Sequence, residues 1–395
     1  MLYTHPSPTG CVGMLRTGSN TGVVTSSRRL HFIDFTRGLV MVLMAWDHVS
    51  MYWMELHGGG EGLYLSRNPE LGVALFMARF VSHWCAPTFV FLSGTSLALS
   101  VNSRLNRGDS ERSITLHIIK RGLLLLVFEA LIVSPAFDLP RYYFGVIAAI
   151  GVCLIVFSVA RKLPASGIIA ASLIIILNHQ WLDLGFIPID TAWGHYLTRV
   201  LHEPGLTWPP YFSLYPVIPW IGVMGLGWGF GALLTKTDRE AVMRLKTPLL
   251  ATGAVSVGLF VVVRWLNGYG NLVRRWSDHI LDWLYVSKYP PSVAFLLWTL
   301  GGTCVFMVIG ILIEERGWTN RNVSGAIHAF GRVPLFFYLT HLWLYRLRLP
   351  KVDPPLFLDL MQTLGLWAAG LAVLWLFCAR YEALRRRHPR FLQYV

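Results

Sequence analysis

Apolar residues run through this chain in stretches near twenty residues long, broken by short clusters of charge, glycine and proline. A helix needs about twenty such residues to cross the hydrocarbon core of a bilayer, so the pattern predicts about ten spanning helices. They are expected over residues 33–54, 72–101, 114–136, 143–160, 165–179, 213–235, 247–266, 290–313, 325–347 and 357–379. The second is long enough to tilt or break near Pro87, and the fifth is short. The fold class is all-α, a polytopic integral membrane helical bundle. Residues 1–27 are rich in Ser, Thr and Gly and lack the charged start and apolar core of a signal peptide, so they read as a disordered cytoplasmic tail. Residues 28–380 form the transmembrane domain, and 381–395 a basic cytoplasmic tail. No fixed-period repeat appears, which excludes a solenoid.

Charge gives the bundle a direction. Only 14% of residues are charged and 54% are hydrophobic, against about 25% charged in a soluble domain. The formal net charge is +13. In a soluble chain that excess would point to nucleic acid, but here the basic residues cluster at helix ends, where they set topology and meet anionic headgroups. Nucleic acid therefore drops out as a partner, and the bilayer takes its place. Arg28 and Arg29, the group Arg104 to Arg121, Arg161 and Lys162, the group Lys236 to Lys246, and Arg385 to Arg390 all fall on one side if both termini are cytoplasmic. The connections 264–288 and 346–351 break this pattern with basic residues on the opposite side. They mark functional residues or a topology error, and function is the reading taken here. The five cysteines are scattered and form no C-x-x-C pair, so neither a zinc site nor a disulfide framework is expected.

Candidate chemistry begins in the first span. Asp34, Arg37 and His48 lie along one predicted helix, and ionisable residues inside a span are costly and mark substrate or proton paths. Arg37 and His48 project within about 20° of each other and stand about 16 Å apart along the axis. His48 suits proton transfer near neutral pH, or can carry an acyl group itself; the plain alternative is a histidine bonded between helices. Asp34 and Arg37 form a local ion pair, or Arg37 meets a phosphate-bearing donor. Asp47 is rotated about 100° from His48 and is expected to contact another helix.

Two further clusters follow. Arg79 and His83 share a helix face at i, i+4, ahead of Ser93-Gly94-Thr95-Ser96, whose small residues suit close packing. Arg332 and Pro334 precede Tyr338 and His341, which share a face at i, i+3. Tyr215-Pro216-Val-Ile-Pro219-Trp220 and Lys288-Tyr289-Pro290-Pro291-Ser292 read by default as structural helix entries. The aromatic residues of 179–212 read as interface anchors or as the floor of a carbohydrate site. No Gly-rich phosphate loop, HExxH, GxSxG or Rossmann fingerprint is present.

Asp34-Phe-Thr-Arg37-Gly38 with Met44-Ala-Trp-Asp47-His48 resembles the opening of the heparan-α-glucosaminide N-acetyltransferase catalytic-domain family, as represented by its bacterial members. Cys85-Ala-Pro-Thr-Phe-Val-Phe-Leu-Ser-Gly94, the Tyr215 and Lys288 motifs and Gly331-Arg-Val-Pro-Leu-Phe-Phe-Tyr338 match as well, over about residues 28–345. The Arg37-x10-His48 spacing is also similar to the arginine–histidine signature of membrane acyltransferases that modify surface polysaccharides. The resemblance implies a transmembrane acyltransferase. It would take an acyl group from acetyl-CoA or another acyl-CoA, with no metal, and deliver it to an extracytoplasmic glycan acceptor. A bacterial inner membrane is the implied location, and a homodimer is open. Lysosomal members use a histidine in the first luminal loop, so His57 stands beside His48 as a catalytic candidate, with Asp47. Arg37, Asp34 and Arg332 are the donor-binding candidates. His83, Arg79, Tyr338 and His341 are the cavity candidates. A proton-coupled transporter or flippase using the same polar stripe is the alternative.

Overall fold

The structure, a computed structural model, describes residues 29–54, 72–139, 142–203, 205–206, 211–347 and 357–388. The N-terminal tail and His57 lie outside the described residues. Each of the ten predicted spans is occupied by helix, and the differences lie at breaks. α1 (His31–Trp53) fills the first. In the second, α2 (Val73–Phe80) tightens into a 3-10 turn at Val81–Trp84 before α3 (Cys85–Asn106). Pro87 does not make this break. It sits in the first turn of α3, where its missing N–H costs no helical bond.

α4 (Glu111–Phe128) passes through a π-helical turn at Glu129–Val133 into the short α5 (Ser134–Ala136). α6 (Val146–Ala160), α7 (Ala165–Asn178), α8 (Ala192–Leu201) and α9 (Val217–Leu234) follow. α10 (Arg239–Arg244) leads directly into α11 (Lys246–Leu266), and α12 (Ile280–Leu284) precedes α13 (Val293–Glu315). The ninth predicted span is two helices, α14 (Asn322–Arg332) and α15 (Pro334–Arg346), because Pro334 cannot donate the bond that would continue the first. α16 (Leu360–Arg387) starts on a capping box of Asp359 and Gln362 and carries Arg385, Arg386 and Arg387 in its last turn, where the sequence reading placed a tail.

Among the described residues, five helical stretches are long and apolar enough to cross a membrane: Val73–Asn106, Val217–Leu234, Arg239–Leu266, Val293–Glu315 and Leu360–Arg387. The other predicted spans are shorter, interrupted or charged. The all-α expectation holds, since the described residues are mostly helical and add only three short strands, β1 (Tyr142–Phe144), β2 (Gly205–Leu206) and β3 (Tyr211–Ser213). Their order is β1-β3-β2, with β1 parallel and β2 antiparallel to β3, and Tyr143 is in register with Phe212. Chain that leaves a helix inside the molecule must satisfy its backbone groups, and strand pairing does this.

In a bilayer the lipid tails are as apolar as leucine, so helices are held by close packing and small residues mark the contacts. α3 and α9 share the most extensive helix–helix contact. A Cβ on Gly94 would lie 2.0 Å from the Met224 carbonyl oxygen, and one on Gly227 1.9 Å from that of Phe91. Thr95 donates to the Gly227 carbonyl at 3.0 Å. α1 and α14 meet in the same way, through Gly38 against Ile327 and Gly331 against Asp34.

Polar bonds sort the helix termini into two ends. At one end Glu314 of α13 accepts from the Phe32 N–H at the start of α1 (3.2 Å) and pairs with Arg239, while Glu315 pairs with Lys246 at 2.5 Å. Arg161 after α6 pairs with Glu111 at the start of α4 at 2.6 Å. At the other end Trp53 donates to the Tyr345 carbonyl at 2.7 Å, and Arg346 bonds Asp138 and the Pro135 carbonyl. The 264–288 connection belongs to this second end, and its basic residues are largely structural. Arg264 is fully buried and bonds Asn271 and the carbonyls of Val273, Asp282 and Trp283; Arg275 bonds the Arg264 carbonyl at 2.8 Å.

Candidate functional site

α1 runs along a cavity of about 790 Å³ that is lined by Arg37 toward one end and His48 toward the other. Arg37 is held by three acceptors: Ser96 Oγ at 2.7 Å, the Gly331 carbonyl at 3.1 Å and Asp34 at 3.5 Å. Asp34 is shared, because Arg29 reaches it at 2.5 Å. The local ion pair therefore exists, and Arg37 still faces the cavity. Arg332 lines the same end and pairs with Glu382 at 2.7 Å. Arg385 also lines it and donates to the Arg332 carbonyl at 3.1 Å. The Ser-Gly-Thr-Ser run divides its work. Gly94 and Thr95 pack on α9, whereas Ser93 and Ser96 face the cavity.

At the other end His48 Nδ1 lies 2.7 Å from His341 Nε2. His341 Nδ1 lies 3.0 Å from the Phe337 carbonyl, which can only accept, so His341 carries its proton on Nδ1. Its Nε2 is then the acceptor, and His48 donates from Nδ1. When both rings are neutral, the basic nitrogen of His48 is Nε2. The two rings stack with centroids 4.9 Å apart, and Phe137 stands edge-on to His48 at 5.4 Å. Tyr338 lines the cavity beside them, its ring 5.7 Å from that of His341.

Asp47 turns toward other elements, as its rotation predicts. Its carboxylate pairs with Arg79 of α2 and accepts from Ser82 Oγ at 2.9 Å. Arg79 and Asp47 both line the cavity, and His83 does not. The i, i+4 relation between Arg79 and His83 fails because the chain tightens to 3-10 geometry at Val81, which advances each residue by about 120°. His83 is instead buried, with its ring 4.9 Å from Phe80 and 5.7 Å from Phe295.

Several lining residues carry no candidate signal in the sequence. Tyr215, Lys288 and Tyr289 come from the two proline motifs taken as structural entries, and the Tyr215 and Tyr289 hydroxyls lie 3.3 Å apart. Pro216 caps α9 and Ser292 caps α13, and the aromatic and cationic residues just ahead of these caps line the cavity. Tyr143 and Phe212 enter through the strand pair, their rings stacked at 5.6 Å. Arg121 of α4, whose signal in the sequence is topological charge, also lines the cavity. Of the aromatic residues in 179–212, Trp181 and Trp193 are exposed and away from the cavity. His179 bonds the Pro291 carbonyl at 3.0 Å and so braces the Lys288 loop. Among the described residues no group of three or more His, Cys, Asp or Glu is arranged to hold a metal ion.

Comparison with known proteins bears on this arrangement. The protein named heparan-alpha-glucosaminide N-acetyltransferase from Mus musculus is 29% identical over 197 residues, 46% of this chain and 27% of its own length. Its counterpart of the same name from Homo sapiens is 29% identical over 185 residues, 40% of this chain and 26% of its own length. The chain thus covers well under half the length of either relative. The family described as heparan-alpha-glucosaminide N-acetyltransferase, catalytic, matches residues 29–263, which hold Arg37, His48, Arg79 and Arg121 and stop short of Arg332 and His341. By that match, over more than half of its length, the chain belongs to the heparan-alpha-glucosaminide N-acetyltransferase catalytic family.

Proposed function

We propose that this protein is a membrane acyltransferase that takes an acetyl group from acyl-CoA at the arginine end of the cavity and delivers it to a sugar or glycoconjugate at the histidine end. The observation that carries the reading is the continuity of the cavity from Arg37 and Arg332 to His48, which His341 backs from outside the lining. The Arg37-to-His48 separation of about 16 Å is that of an extended pantetheine arm, so a donor anchored by its phosphates would present its thioester to His48. As general base, His48 Nε2 takes a proton from the acceptor amine or hydroxyl. The acceptor atom bonds to the thioester carbonyl, the C–S bond breaks, and the thiolate leaves and is protonated by the imidazolium. If His48 instead carries the acyl group in transit, the same Nε2 bonds to it. Asp47 fixes Arg79 beside the acceptor, and His341 fixes His48.

In this reading the transmembrane domain is 28–380, the ten helical segments all span, and the basic end, with both termini, faces the cytoplasm of a bacterial inner membrane. The family match speaks for acetyl transfer, and no observation favours a transporter or flippase. Purified protein given acetyl-CoA and a panel of amino sugars is expected to release free CoA. His48→Ala is expected to lower turnover by about a hundredfold or more. Undiminished turnover in that variant would remove His48 from the site and leave His57 to be tested in its place.

A further inference from the structure

The arginine end of the cavity holds a charge that the donor reading above does not use. Arg121 lines the cavity about ten residues into α4 and, among the described residues, makes neither a hydrogen bond nor an ion pair. Ser96 lies as far before the end of α3 at Asn106 as Arg121 lies after the start of α4 at Glu111. A short connection joins the two helices, so Ser96 and Arg121 stand level, about 15 Å from it. Arg37 reaches that level too, because it donates to Ser96 Oγ at 2.7 Å. Two guanidiniums therefore line one end of the cavity, near enough for the charge of one to oppose that of the other. The local carboxylates do not offset this. The four arginines lining this end, Arg37, Arg121, Arg332 and Arg385, face Asp34 and Glu382, and those two also hold Arg29 and Arg386. Arginine stays protonated in such a place, and its planar fork matches phosphate oxygens.

Building on the acyl-CoA reading, we propose that Arg121 and Arg37 together grip the phosphate that carries the donor's pantetheine arm, while Arg332 and Arg385 take the phosphate at its nucleotide end. Arg121 is then the residue that distinguishes a phosphorylated donor from a bare pantetheine thioester.

The test uses the full chain in nanodiscs of neutral phosphatidylcholine. Dissociation constants are measured for acetyl-CoA, S-acetyl-4′-phosphopantetheine and S-acetylpantetheine. Loss of the 4′-phosphate is expected to weaken binding to the wild-type protein by about tenfold to a hundredfold. In Arg121→Gln that difference is expected to fall within about threefold, with S-acetylpantetheine bound as tightly as by the wild type, which also reports an intact fold. Arg121→Lys, which keeps the charge without the fork, is expected to fall between the two. An Arg121→Gln protein that keeps the full phosphate preference overturns the proposal. So does displacement of acetyl-CoA by phosphatidylglycerol nanodiscs that depends on Arg121, since the arginine would then serve a lipid headgroup. Failure of the wild-type protein to bind any of the three thioesters overturns the acyl-CoA reading itself, a result distinct from either.

Discussion

His341 is the residue through which the histidine pair can be tested. It is fully buried, bonded on one side to the Phe337 carbonyl and on the other to His48. Replacing it by alanine removes the acceptor for His48 Nδ1–H and frees the ring of His48 to turn or to change tautomer. His341→Ala is expected to lower kcat by about a hundredfold while the KM for acetyl-CoA stays unchanged, because the proposed site for the donor phosphates is at the far end. His341→Gln, whose amide oxygen can accept the same proton, is expected to recover part of kcat. Equal losses from both variants, or a loss carried in KM, would mean that His341 only packs. The sequence shows His48 and His341 separately as candidates. It cannot show that they meet, because they stand 293 residues apart and no local spacing encodes the contact. Arg121 was illegible for another reason. Arginines at helix ends are ordinary topology signals, and only the three-dimensional neighbours of Arg121 separate it from Lys120 beside it.

At the scale of elements, the hydrophobic pattern located the long helices, but it stopped short of the charged end of α16, passed over α8 and missed the places where helices change character. The 3-10 turn at Val81–Trp84 and the π-turn at Glu129–Val133 carry no composition that sets them apart from the helix on either side. The first of these re-aimed Arg79 and His83 away from each other. Pro334 did announce a discontinuity, and there the two helices part. Glycines were legible as small residues but not as contacts. Gly227 and Gly258 look alike in sequence, yet Gly227 touches the backbone of α3 and Gly258 has nothing within 4 Å of an added Cβ. Gly227→Ala is expected to destabilise the protein by about 1–3 kcal/mol, since the Phe91 carbonyl cannot yield as a side chain would. Gly258→Ala is expected to be neutral or to stabilise the α11 helix by up to about 1 kcal/mol. Thermal melts of the two variants in the same detergent check the contrast, and equal melting temperatures would contradict the close α3–α9 contact.

The whole molecule has a polarity that neither residues nor helices show alone. The ion pairs at one end tie together the start of α1, the α9–α11 connection and the end of α13, and a further pair joins the start of α4 to the end of α6. Arg104, Arg107 and Arg112 flank the α3–α4 connection, and Arg385 to Arg387 close α16. The opposite end holds Asp183, Asp190, Glu203 and Asp278, and the basic Arg264 there is buried in a structural knot. Short loops with excess Lys and Arg stay in the cytoplasm. If the basic loops obey that rule, a carrier of acetyl groups would meet acyl-CoA at the arginine end of the cavity and its acceptor at the histidine end. Cysteines introduced one at a time at Arg107, Glu240 and Asn320 are then expected to react with a membrane-impermeant maleimide only after the membrane is opened. Cysteines at Asp190 and Asp278 are expected to react in intact cells. The native Cys85, Cys153, Cys304 and Cys378 are buried and should stay silent. Labelling of Arg107→Cys and Asp190→Cys from the same side would break the ten-span arrangement. It would also remove the reason for placing donor and acceptor on opposite faces.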